Sequence, residues 1–316
     1  MRSMCHRLQW DEEDLDWGLE PRPLERDDEI AIVQYFTDMV GIERLAGELF
    51  RVQRDRSEDP VLREIFDSFV IDELRHSRVA ARLARHYDVH RYKVYRRNRH
   101  LVRFERAFVE ALEHLSPEIG NAYIMVGELL LDVALLRSID DFVNDEMSAA
   151  AMKLINRDES RHIAIDFHMV EYYASAEHAA REASRPRPPI LERARGALAL
   201  GRVFLHVAPF FREVFFEPMT RVDPSGRRLR EAFKRAQLVG VKEEVLNRPF
   251  SRFLDRMRRL FEHPITGRLF GPAIARVIGL DPSLIVTLYD EEEAARFRAM
   301  SLDEMAEDAV QAKYLN

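Results

Sequence analysis

Apolar residues recur every three or four positions along most of the chain, and no stretch among its first four long segments alternates with period two, so the pattern predicts an all-α protein without a sheet. The first long segment runs from about Asp28 to Arg54, with Ile32, Phe36, Val40, Gly47 and Phe50 on one face. A second is announced by Asp59-Pro60, an N-cap followed by a proline in the first turn, and its inner face reads Leu62, Phe66, Phe69, Glu73, His76, Ala80, Leu83. After a short helical segment at Leu101–His114, Ser116-Pro117 starts a third helix to about Asp145, which carries Ile124, Met125, Glu128, Leu131, Asp132 and Leu135 inward. The fourth, from about Asp145 to Ala179, places Met152, Ile155, Glu159, His162, Asp166, Met169 and Tyr173 on one side.

These stripes are apolar except at a few positions, and those positions repeat. Asp72-Glu73-Leu74-Arg75-His76 returns as Asp158-Glu159-Ser160-Arg161-His162. On a helix, residues three apart share a face, so each copy sets a carboxylate beside an imidazole. Each copy is also preceded by an inward glutamate on the helix before it. Between Glu43 and Asp72 lie 28 residues, and between Glu128 and Asp158 lie 29. Glu128 sits in Ile-Met-Val-Gly-Glu-Leu-Leu-Leu, where an uncompensated charge is costly. Glu48 competes with Glu43 for the first position, although it falls off the apolar face.

Four carboxylates and two imidazoles form an oxygen-rich, hard donor set suited to iron or manganese. Two divalent cations would neutralise the buried negative charge. Glu73 or Glu159 could bridge them. Asp72 and Asp158 are placed to hold the second ring nitrogen of the histidine in the opposite half, and Arg75 and Arg161 to balance the acids. The chance alternative is a pair of ordinary surface helices, which the doubled motif with its matched upstream glutamates disfavours.

Composition narrows the classes. Hydrophobic residues make up 47% and charged residues 33% of the 316, as in globular proteins rather than disordered ones. With 48 basic against 55 acidic residues the net charge is −7, which lends nucleic-acid binding no support. Cys5 is the only cysteine, excluding a disulfide framework and cysteine-based metal sites and fitting a reducing compartment. The N-terminal stretch has no apolar core like that of a signal peptide, and Ala197–Phe216, the most apolar run noted, is interrupted by Arg202, His206 and Arg212. A cytoplasmic protein without a membrane span is expected.

At the repeated motif the chain resembles the ferritin-like di-iron carboxylate superfamily, over about Asp28 to Ala179. The resemblance implies a four-helix bundle in which Glu43, Glu73 and His76 serve one metal and Glu128, Glu159 and His162 the other, with carboxylates shared. It implies two Fe ions (or a Mn/Fe pair), O2 as co-substrate and an external reductase as electron donor. The function it implies is hydroxylation, desaturation or N-oxygenation of a small or carrier-bound, largely apolar substrate, with Glu128 and Asp132 nearest the chemistry. The alternative is a metal-handling or ligand-binding relative without turnover. Departures from the pattern matter. The position four after His76 is Ala80, where radical-generating reductase subunits carry tyrosine, and the position four before Glu159 is Ile155, where N-oxygenases often carry a further histidine. Asp132 stands where several oxygenases have threonine, and a solvated or supporting carboxylate is its plainer reading. Tyr123 lies well off the Glu128 face.

The remaining expectations are coarser. Residues 1–27 read as an irregular arm, 28–184 as the bundle, Arg185–Pro189 as a linker, and 190–316 as further helices packed on the bundle, with a homodimer as the assembly. His90–His100 is either a solvated connection or a basic docking patch for an acidic partner. Phe204, Phe210, Phe211, Phe215 and Phe216 either cover core or subunit surface or line an apolar substrate tunnel.

Overall fold

The computed structural model describes residues 1–184, 189–246, 248–278 and 281–312. All regular structure among these residues is helical, as the periodicity predicts. The first half comprises α1 (Arg2–Arg7), a short 3-10 turn at Glu12–Asp14, α2 (Arg26–Arg56), α3 (Pro60–His86), α4 (Arg99–Leu112), α5 (Pro117–Glu128), α6 (Arg137–Val143) and α7 (Glu146–Ala174). Then come α8 (Ala176–Ser184), α9 (Ile190–Phe210), α10 (Glu217–Val222), α11 (Arg227–Val239), α12 (Glu243–Leu246), α13 (Pro249–Glu262), α14 (Pro264–Ile278), α15 (Pro282–Ile285), α16 (Glu291–Ala299) and α17 (Leu302–Ala312). Wider π-helical turns at Leu129–Leu136 and Phe211–Phe216 join α5 to α6 and α9 to α10.

The helix starts follow from local chemistry. Asp59 accepts from the backbone N–H of Val61 and Leu62, with Pro60 at the first position of α3. Ser116 caps α5 through Ile119 N, and Asp145 caps α7 through Ser148 N. Asn144, in the left-handed region at φ 51°, turns the chain sharply between α6 and α7. The fourth predicted helix is shorter than expected: α7 ends at Ala174, and extended Ser175 separates it from α8.

Four helices frame the core. Helix α2 packs on α3 and α5, and α7 packs on α5 and α3, so each touches two of the others. Phe36, Phe50, Phe66, Phe69 and Leu83 are fully buried between them. Helix α4 lies on α2 and is covered by α9, while α11 packs on the π-helical turns after Glu128 and α17 on α7. The third of the chain after Pro189 therefore covers the flank of α4, α5 and α7. The phenylalanine run divides: Phe210 and Phe215 are buried, Phe211 and Phe216 are partly buried against the core, and Phe204 is exposed.

Two sequence expectations need correction, and one of two open readings gains support. Residues 1–27 are not merely irregular: α1 docks on α3, and Cys5, Trp10 and Leu15 enter the main core. Among the described residues, the helical segment apolar and long enough to cross a membrane by composition is Pro117–Val143, so Ala197–Phe216 is not the most apolar run. The most apolar window of Pro117–Val143 is 72% buried inside the protein, as expected of a core helix. Within the His90–His100 stretch, His90 hydrogen-bonds Glu29 at 2.7 Å and Arg97 pairs with Glu105 at 2.9 Å, so both side chains serve the connection between α3 and α4, the plainer of its two readings. Of the expected linker, residues 185–188 lie outside the described residues.

Candidate metal centre

Six side chains from four helices converge in the core. Glu43 comes from α2, Glu73 and His76 from α3, Glu128 from the last turn of α5, and Glu159 and His162 from α7. None is more than 2% exposed. They form two overlapping groups that could hold metal ions, Glu43–Glu73–His76–Glu159 and Glu73–Glu128–Glu159–His162, with ligand atoms within 4.8 Å of one another in each. Glu73 and Glu159 belong to both. Glu48, the competitor of Glu43, points to the surface and pairs with Arg51. Gly47 lets the backbone of α2 approach this point: a Cβ there would lie 3.3 Å from the Glu73 Cβ.

The imidazoles are held by opposite faces. His76 turns Nδ1 toward Glu159 at 3.1 Å, and His162 turns Nδ1 toward Glu73 at 3.1 Å and Glu159 at 3.0 Å. Each Nε2 faces the aspartate of the other half, as the repeat predicts: His76 to Asp158 at 3.1 Å, His162 to Asp72 at 3.5 Å. An acceptor on Nε2 holds the proton there and leaves the Nδ1 lone pair for a ligand. The two arginines bind both aspartates. Arg161 reaches Asp72 and Asp158 at 2.9 Å each; Arg75 pairs with Asp72 and reaches Asp158 at 3.3 Å.

Charge shows what the centre lacks. Burial, then neighbouring carboxylates, push Glu73 and Glu128 well above the usual carboxylate range. Burial raises Glu43 to about 7. Burial also works against ionised Glu159, but the charges and hydrogen bonds of His162 and His76 outweigh it and hold this carboxyl well below its ordinary value. Burial would lower the histidines too, yet hydrogen bonds and charge from Asp158 and Glu159 lift His76 to about 10, and Glu159 with Asp72 lifts His162 to about 9. Protons thus stand in for missing positive charge. Glu73 Oε2 and Glu128 Oε2 have no hydrogen-bond partner, and His76 Nδ1 and Glu73 Oε1 meet only the other would-be ligands Glu159 and His162 at 3.1 Å, which is the state of donors arranged for a cation. The donor set and its partnerless atoms fit a hard divalent metal pair.

Sequence reasoning missed Trp10 and Asn121, and placed Asp166 on the inner face without giving it a role. Trp10 donates from Nε1 to Asp158 Oδ2 at 2.6 Å, its carbonyl accepts from Arg75 at 2.9 Å, and the Arg75 guanidinium lies 5.0 Å above its ring. The available signal was a tryptophan in an acidic arm, a residue rarely left in water. Replacing Trp10 with Phe keeps an aromatic ring, though a smaller one, but removes a buried bond to a charged acceptor. The expected loss is about 1.5–3 kcal/mol of stability, read from the urea midpoint. Asp166, one turn after His162, is fully buried without a hydrogen-bond partner and is raised well above its ordinary value, first by burial. Asn121 donates to the Asp166 carbonyl at 3.0 Å.

Asp132, expected beside the chemistry, is buried in the π-helical turns but belongs to neither ligand group. That position agrees with the plainer reading of Asp132 as a supporting carboxylate rather than a ligand, in a segment where the backbone widens after Glu128. Tyr123 packs against Phe104 and Phe108, away from the centre as its register predicts. No protein-family model, no curated protein and no solved structure matches the chain.

Proposed function

We propose that the chain is a ferritin-like four-helix oxidoreductase that uses two iron ions, or a Mn/Fe pair, to activate dioxygen and oxidise a small or carrier-bound, largely apolar substrate. The observation that carries the proposal is the sharing of Glu73 and Glu159 by two ligand groups, each completed by one further glutamate and one histidine. Two overlapping sites are the arrangement for a metal pair rather than a single ion.

Glu43, Glu73, His76 and Glu159 would hold one ion, and Glu73, Glu128, Glu159 and His162 the other. When bound, the pair supplies reduction of dioxygen with electrons from an external reductase. Asp158 holds the Nε2 proton of His76 at 3.1 Å and Asp72 faces that of His162 at 3.5 Å, so that both Nδ1 atoms would remain ligands. Phe69 lies 4.2 Å and Phe50 5.0 Å from the His162 ring, centroid to centroid. Together with Phe66 they wall off that side of the centre from water, which strengthens every charge interaction within it.

The test is anaerobic loading with Fe(II), alone and together with Mn(II), metal analysis, and oxygen uptake on adding reductant. Two metals per chain and reductant-dependent oxygen uptake are expected. Protein that takes up no iron or manganese under these conditions would refute the reading.

A further inference from the structure

A chamber of about 260 Å³ lies between α5 and α7 on one side and the helices after Pro189 on the other. Met125 and Val126 of α5, Val170 of α7, Ala236 of α11 and Leu284 of α15 give it mostly apolar walls. Its place relative to the metal centre follows from helix register. Asn121, Met125 and Glu128 recur at spacings of four and three along α5, and Val170, Asp166 and His162 at steps of four along α7. The helix faces that line the chamber therefore continue into the faces that carry the ligands. Met125 is one turn, about 4.5 Å of rise, from Glu128.

Two polar features distinguish the ends. Where the lining is partly exposed, Arg248 is paired with Glu118 at 2.8 Å, and Arg258 with Asp255 and Tyr289 at 2.7 Å each. Both cations already have carboxylate partners. At the buried end, Asn121 is 1% exposed. Its amide nitrogen is committed to the Asp166 carbonyl, which fixes the orientation of the group, and Oδ1 is left as a buried acceptor with no partner.

We propose that this chamber binds the organic substrate, an uncharged apolar molecule carrying a hydroxyl or N–H donor that Asn121 Oδ1 accepts. Its role as the substrate site rests on the reading of the metal centre given above. An ionised ligand would leave water to meet charges that are already paired. A ligand with no donor would leave the Asn121 acceptor unsatisfied, and sites of this kind discriminate strongly against an analogue that lacks the bonding group. The arrangement also assigns work to the C-terminal third, which supplies the outer wall.

The experiment uses the full chain and three probes of similar size: 4-butylphenol, its methyl ether 4-butylanisole, and 4-butylbenzoate. Calorimetric titration of both metal-free and iron-loaded protein is expected to give phenol binding at least tenfold tighter than the ether, with benzoate weakest. In Asn121→Ala the phenol should fall to the level of the ether. Ala236→Trp, and independently Ala122→Phe from the opposite wall, should abolish binding of both while the protein still melts cooperatively. Equal binding of phenol and ether, tightest binding of benzoate, or binding untouched by both filling variants would overturn the proposal. Iron-loaded protein that ignores the phenol refutes the chamber and leaves the metal centre standing. Protein that binds the phenol but no metal supports the ligand class and refutes the oxidoreductase.

Discussion

Glu159→Ala is expected to cost the protein both metals, whereas Glu43→Ala and Glu128→Ala each cost one. Glu159 offers oxygens to both ligand groups, while Glu43 and Glu128 each belong to a single group. It is also the one glutamate of the four held well below its ordinary value, because both histidines turn Nδ1 toward it. Removing it takes a charge from both ion positions and leaves two imidazolium groups without their shared counter-ion. Changes to residues that merely support ligands typically lower metal affinity about 10- to 100-fold, so loss of a shared ligand should exceed about a hundredfold. Metal analysis after reconstitution reads this directly, and oxygen uptake should fall with it. Asp158→Asn is the graded control: it spares every ligand but weakens the hold on His76 Nε2, placing it in the 10- to 100-fold range. A Glu159→Ala protein that still binds two ions per chain would show that the six residues do not act as one centre.

Much of this centre was legible because its signal is periodic. A carboxylate inside an apolar stripe stands out against a uniform background, and a motif that occurs twice fixes relative position as well as identity. The crossed pairing of Asp158 with His76 and of Asp72 with His162 follows from the same symmetry. Glu43 could be preferred to Glu48 because helical register separates them by about 140° on the helix.

What was not legible depends on contacts between distant segments or on departures from ideal helix. Trp10 lies 148 positions from Asp158, and no local pattern announces that an arm will fold back to supply a donor. The widening of the backbone immediately after Glu128, which holds Asp132, was not legible either, because register reasoning assumes 3.6 residues per turn. Asn121 is an unremarkable polar residue until the chamber and the Asp166 carbonyl surround it. The chamber itself needs the helices after Pro189, whose broken, proline-rich pattern predicts helix but not the face against which each one lies.

Metal-free protein is expected to lose stability as pH rises from about 5 to 9, and loading with metal should remove that trend. The sign follows from the protons bound. Glu43 moves from an ordinary 4.5 to about 7, Glu73 and Glu128 are likewise raised well above 4.5 by burial and neighbouring carboxylates, and His76 and His162 move from 6.5 to about 10 and about 9. Each group holds its proton in the folded state over a range where the unfolded chain has released it. Such a group contributes fully below its unfolded value, and its contribution is lost as pH rises through the folded one. Glu159, Asp72 and Asp158 act in the opposite sense, since their folded values are lowered. Their contribution is present above the unfolded value and disappears only in acid, through about 2 for Asp72. The metal-free optimum should therefore lie near pH 4–5, more acidic than the usual range of about 5–8. A thermal midpoint followed across pH reads this, at about 2–4 °C per kcal/mol for a domain of ordinary size. Binding demands the deprotonated ligands, so loading two divalent ions near pH 7.5 should release at least the two protons held by His76 and His162, together with those that the raised carboxyls still carry. Titration in two buffers of different ionisation enthalpy counts them. A metal-free midpoint that climbs between pH 5 and 8, or a release near zero, would mean that protons do not occupy the place of the metals.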